Sequence, residues 1–169
     1  TRTEAALERE KLNAAYGPGS PWQEANENRP SKIRQAMRFA QDALSSSALF
    51  RFALAQKYVE EGKLALAAEE ARIAAGYFET YIKRYPYDAD IYEYKFYRAV
   101  CLQTAAQWLA AADAFEAIRD DNSRTDRRER SAYAAFLMLQ AEVDSQTESG
   151  GLPPQPDGSA PEAQEIPVL

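Results

Sequence analysis

Acid–base chemistry requires two titratable groups that converge on one point, and the acidic pairs of this sequence are spaced so that they diverge. Glu60 and Glu61, Glu69 and Glu70, and Asp120 and Asp121 are immediate neighbours. On a helix such neighbours point about 100° apart, so each pair spreads over a solvated face. Asp113 and Glu116 flank Phe115, and the sequence supplies neither with a catalytic partner. The chain contains no His and a single Cys, Cys101. That composition removes Ser-His-Asp and Cys-His arrangements, the usual zinc ligand sets and any intrachain disulfide. Glycine loops that cradle phosphate and calcium loops of the EF-hand type are also missing from the sequence. The expectation is a protein without catalytic residues, metal or cofactor, and therefore not an enzyme.

The cations give no better case for chemistry. Arg29, Lys32, Arg34 and Arg38 read as a solvated helix surface, and Arg124, Arg127, Arg128 and Arg130 are interleaved with Asp126 and Glu129, which favours pairing within one helix. With a net charge of −6 and a pI near 4.9, the chain opposes nonspecific attraction to nucleic acid or anionic lipid. No apolar run reaches the roughly 20 residues of a spanning helix, so neither membrane insertion nor a signal-peptide core is expected. A chain that opens on Thr1 reads as a processed product or a segment of something longer.

The 169 residues suit one domain or a few short repeats. Apolar residues recur with helical period throughout and nowhere alternate as in a half-buried strand, which predicts an all-α protein. Residues 1–28 read as an N-terminal helix, with Leu7, Leu12 and Tyr16 as a thin stripe, followed by a Pro/Gly linker in which Trp22 pins the loop to the domain. A helix starting at Pro30 and Ser31 buries Ile33, Met37, Ala40 and Leu44. Ser45, Ser46 and Ser47 are expected to break it and cap the next. Hairpins follow at about 48–86 and 89–121, with helices over 48–61, 64–84, 89–104 and 107–119, and a terminal helix over 126–143. These complete a helical domain spanning 29–144. Residues 145–169 hold five of the nine Pro and no aromatic residue, Lys or Arg. That composition predicts a disordered acidic tail or linker, ending in an Ile166 to Leu169 segment that resembles a docking motif.

The two hairpins share a pattern. Leu54, Ala55, Tyr58, Gly62, Leu64 and Ala67 occupy the template positions of the first, and Ala99, Leu102, Trp108 and Ala111 stand in the second where Ala55, Tyr58, Leu64 and Ala67 stand in the first, with Phe115 following. Small residues at 55, 67, 99 and 111 allow close helix approach, and the large ones fill the space around them. This resembles the tetratricopeptide repeat, an antiparallel helix-hairpin unit that stacks into an α-solenoid. The repeat starts, Ala48 and Tyr92, are 44 residues apart instead of the usual 34 or so. Ala74, Phe78, Tyr81, Tyr85 and Pro86 match a normal repeat end displaced by seven residues, so the second helix of the first hairpin is expected to be about two turns longer than usual. The Phe78, Tyr81, Tyr85, Pro86 ending is similar to repeats of bacterial cell-envelope tetratricopeptide proteins, those of the outer-membrane assembly lipoprotein and Tol-Pal coordinator type. Envelope proteins of gliding-motility machinery offer a weaker likeness.

That resemblance implies a non-enzymatic scaffold, periplasmic or associated with the outer membrane, whose groove holds a peptide or helix of another protein. The groove positions that correspond are Phe52, Gln56, Val59 and Glu60 in the first repeat, and Phe96, Tyr97, Val100 and Gln103 in the second. The Lys and Asn of carboxylate-clamp members are replaced here by Phe52, Ala53, Phe96 and Tyr97, which fits an apolar or helical ligand. Tyr87, Tyr92 and Tyr94 near a turn are further surface candidates. The terminal helix 126–143, with apolar residues spread around it, is expected to meet a second protein, another copy of the chain or a missing downstream repeat. The alternative is a structural subunit packed permanently in a complex, with no exchangeable ligand. Cys101, on an inner helix, is expected to be a structural thiol.

Overall fold

The computed structural model describes residues 2–121, 124 and 126–151. Seven helices and no strand form among the described residues: α1 (Arg2–Tyr16), α2 (Pro21–Ala25), α3 (Pro30–Glu60), α4 (Leu64–Arg84), α5 (Ile91–Thr104), α6 (Trp108–Arg119) and α7 (Arg128–Glu148). Apart from the short α2, each helix packs on its predecessor, with α1 reaching across to α3. The core is thus a row of helix–helix interfaces.

Alanine sets the spacing of that row. Ala48, Ala55, Ala67, Ala71, Ala74, Ala99, Ala111 and Ala112 are all buried, so backbones approach closely without overpacking. Phe78, Phe115, Leu44 and Ile118 fill the remaining space. An aromatic ladder then joins α3, α4 and α5. Phe78 meets Phe52 edge-on at 6.2 Å, Tyr94 at 5.5 Å and Tyr97 at 5.9 Å. Tyr81 extends the ladder to Tyr94 at 4.8 Å and Tyr85 at 4.9 Å. The side-chain amide of Gln41 donates to the Tyr81 hydroxyl and to the Asp88 carboxylate, each at 2.8 Å, tying α3 to α4 and the following turn.

Both hairpin turns are closed in the same way. After α3, Gly62 adopts φ +71°, its N–H donates to Val59 and that of Lys63 to Tyr58. After α5, Ala106 adopts φ +55°, its N–H donates to Gln103 and that of Gln107 to Leu102. Each is a left-handed C-terminal cap that satisfies two orphan carbonyls, although only the first uses glycine, the residue that adopts this backbone without strain.

Three expectations are corrected. The triple serine does not end a helix: α3 runs without interruption for 31 residues, about 46 Å. Serine is only mildly unfavourable in a helix interior; Ser45 folds its hydroxyl back onto the Asp42 carbonyl, and burial of Ser47 and Ala48 holds the helix through the junction. The terminal helix continues beyond 143 to Glu148, so the first residues assigned to a tail are helical; residues 152–169 lie outside the described residues. Trp22 lies in the short α2 and not in an irregular linker, with Ser20 capping that helix. The expected extra length of the second helix of hairpin one is present, since α4 has 21 residues against 12 in α6.

Candidate functional site

The residues expected to form a groove separate into two groups. Phe52 of α3 and Tyr97 of α5 come together, their rings stacked at 4.9 Å and inclined by 24°, with Phe78 closing the seam from behind. Both rings are half-buried, as are Gln56, Val100 and Gln103. Val59, 42 % exposed, and the exposed Glu60 lie two turns beyond Phe52, about 10 Å along α3. This strip offers apolar area edged by amide groups and one carboxylate, a composition suited to a peptide or helix with an apolar face.

Phe96 does not belong to the strip. It is buried, edge-on to Phe115 at 6.0 Å, and the Arg127 guanidinium sits 4.0 Å from its ring centroid. Arg127 also pairs with Glu93. The basic run at 124–130 therefore works across helices: besides contacts to Asp126, Arg124 covers the Tyr92 ring at 4.8 Å and Arg130 approaches Phe96 at 5.4 Å. The expected pairing within one helix is replaced by these contacts, since Arg124, Asp126 and Arg127 all precede α7. Of the three tyrosines near the turn, Tyr87 is 99 % exposed, whereas Tyr92 and Tyr94 are buried; α5 begins at Ile91, and its register turns both rings inward.

Two further surfaces emerge from the packing. A cleft of about 290 Å³ lies between α1, α2 and α3, lined by Leu12, Tyr16, Trp22, Lys32, Ala36 and Phe39 among others. Trp22 stands edge-on to Tyr16 at 5.3 Å, which ties α2 to the end of α1, and it shares the wall of this cleft with Ala36 and Phe39 of α3. Phe39 lies off the Ile33, Met37, Ala40 and Leu44 face, and its neighbours Leu12, Tyr16 and Trp22 come from α1 and α2, whose docking on α3 no periodicity within α3 reveals. The second surface is the outer face of α7. Tyr133 and Phe136 are 65 % and 61 % exposed, and Leu139 and Val143 are exposed as well. A shallow hollow of about 530 Å³ runs along Phe136, Leu139, Gln140, Val143, Asp144 and Thr147.

Titratable groups inside the structure are pushed toward neutrality, not toward reactivity. Burial raises the Cys101 thiol to about 12, which withholds the thiolate needed for nucleophilic attack. Burial likewise raises Tyr81 to about 12 against the opposing effect of the Gln41 hydrogen bond, and it raises Tyr85 and Tyr94. No cluster of three or more His, Cys, Asp or Glu side chains capable of holding a metal occurs among the described residues, and no helix among them is long and apolar enough to cross a membrane. No family model matches the chain, and no curated protein or solved structure resembles it significantly.

Proposed function

We propose that the protein is a non-enzymatic adaptor built from tetratricopeptide-like hairpins, holding an apolar helix or extended segment of another protein against the Phe52–Tyr97 seam. The observation that supports this reading most is the recurrence of the turn geometry. Gly62 and Ala106 stand at the same left-handed position with the same pair of cap hydrogen bonds. They are 44 residues apart, the offset that also relates Ala55 to Ala99, Leu64 to Trp108 and Ala67 to Ala111. Two hairpins equivalent in turn, crossing residues and order are what a repeat scaffold requires. The likeness of the α4 ending to envelope repeat proteins favours a bacterial envelope assembly, periplasmic or at the outer membrane, as its setting.

The test uses a residue that lies on the strip and outside the core. Val59→Glu places a charge on the exposed end of the seam, next to Glu60. Affinity capture from a bacterial envelope extract is then compared between parent and variant, with the melting temperature as a fold control. A partner retained by the parent and lost by the variant at unchanged melting temperature supports the adaptor. Capture that is insensitive to Val59→Glu, or no capture, defeats the seam as a binding site. The reading of a permanently assembled structural subunit is favoured by one observation, the apolar outer face of α7.

A further inference from the structure

α7 packs on α6 through Ser131, Ala135 and Met138, all buried. Diametrically opposite, Tyr133, Phe136, Gln140, Val143 and Thr147 follow at intervals of three and four residues. That is the seam spacing of a two-stranded helical contact, and it coincides with the hollow along Phe136, Gln140, Val143 and Thr147. A helix buried on one side that carries on the other a second seam, apolar at Tyr133, Phe136 and Val143 and polar at Gln140 and Thr147, is built to meet another helix.

The charges along α7 say which helix. Its start carries Arg128 and Arg130 with a single acid, Glu129, between them, and its end carries Glu142, Asp144 and Glu148 and no base. A parallel copy would set like charges side by side, whereas an antiparallel copy brings the basic end against the acidic one. The flanking positions fit such a pairing residue by residue. With the twofold axis crossing between the outer faces at the level of residue 138, Tyr133 lies against Val143 of a second copy and Phe136 against Gln140. On one flank the open edge of Leu137, whose other side packs on its own core, meets its own equivalent, with Arg130 and Asp144 opposite each other on either side of it. On the other flank Leu139 meets Leu139. An isologous contact requires this kind of self-complementarity.

We infer that the outer face of α7 is a homodimer interface, in which two copies of the chain pair through antiparallel α7 helices about a twofold axis. This surface is separate from the Phe52–Tyr97 seam and makes the adaptor bivalent: two seams are carried on one assembly, so a partner presenting two copies of its own segment is held by both.

The experiment is sedimentation or light scattering on the full chain from about 1 to 100 μM, the range in which an interface of ordinary size associates. The expected particle has twice the 18.9 kDa chain mass. Phe136→Glu is expected to give monomers with unchanged helical circular dichroism, because this ring is largely exposed in the single chain. Arg130→Asp is expected to weaken dimerisation roughly tenfold, since the twofold axis removes two ion pairs at once. Adding Asp144→Arg to that variant swaps the charges and is expected to restore the dimer. A monomer at 100 μM, a dimer indifferent to Phe136→Glu, or a charge-swapped variant no tighter than Arg130→Asp would each overturn the proposal. The adaptor reading is scored by capture at Val59, so failure of one leaves the other standing.

Discussion

Replacing Ser46 by proline distinguishes a continuous α3 from two helices meeting at the serines. Ser46 lies sixteen residues into a helix that spans Pro30–Glu60, and at such a position the N–H donates to the carbonyl four residues back, here that of Asp42. Proline removes that hydrogen bond and drives its ring into the same carbonyl, at a cost of about 3 kcal/mol or more. The adjacent Ser47 and Ala48 are fully buried, so a kink also disturbs packing between α3 and its neighbours on both sides. In a chain of this length about 1 kcal/mol moves the melting temperature by about 2–4 °C, and Ser46→Pro should lower it by about 6–12 °C. The assay is thermal unfolding followed by circular dichroism, with Ser46→Ala as a control that should match or slightly exceed the parent. At a helix junction proline would be nearly neutral. A melting temperature within about 2 °C of the parent would therefore refute a continuous α3.

Tyr97→Ala should lower stability by about 2–3 kcal/mol, because most of the ring area is withdrawn from water and it stacks on Phe52; an unchanged urea midpoint would mean the ring contributes nothing to the core. Ala106→Gly should stabilise by about 0.5–1 kcal/mol and Gly62→Ala destabilise by about 1 kcal/mol, since both positions need positive φ and a Cβ at residue 62 meets open space. Denaturant titration reads both signs, and equal midpoints would refute the shared cap. Ser47→Ala and Ser131→Ala should each raise stability by about 1 kcal/mol, because both hydroxyls are buried without a hydrogen-bond partner; a loss in either case would reveal a bond to the hydroxyl. Stability should also fall at alkaline pH. Cys101 and Tyr81 have folded pKa values pushed up to about 12 from 9.0 and 10.0, so the unfolded chain loses protons first, and their contribution, complete below pH 9, is lost progressively from pH 9 to 12. Melting temperatures across that range should decline, and Cys101→Ala should blunt the earliest part of the decline.

Helix existence was legible from period in α4 and α6, which present small and large apolar residues on one face, and from the turns that bound α5, whose buried residues spread around much of the helix; the limits of all three fall within two residues of those read from the sequence. The limits of α3 and α7 were not, for a common reason. Serine runs and acidic polar stretches signal helix ends only when nothing else holds the helix. Ser47 sits in a packed interface, and α7 extends through polar residues as far as a left-handed Gly150 whose cap bonds terminate it. Burial of Phe96, Tyr92 and Tyr94 was hidden by the crowding of aromatics between Tyr77 and Tyr97, where a helical phase error of one residue, about 100°, exchanges inside for outside.

The placement of Tyr97 has a consequence for how recognition and stability are linked. Its ring stacks on Phe52 and reaches Phe78, so the floor of the proposed binding strip is also the joint between the first hairpin and α5. A ligand segment that adds apolar contact to the two half-buried rings strengthens that joint directly, and by linkage it raises stability by the free energy it contributes to the folded chain. Ligand-induced stiffening of the α3–α5 contact weakens with distance toward α7: Tyr97 meets Phe96 edge-on at 6.5 Å, and only through Phe96 does the contact pass on to Phe115 of α6 and to Arg127 just before α7. Amide exchange should therefore slow in α3 and α5 when the strip is filled, and in α7 when the chain dimerises. The two surfaces are told apart by where protection is greatest, in α3 and α5 for the strip and along α7 for the dimer.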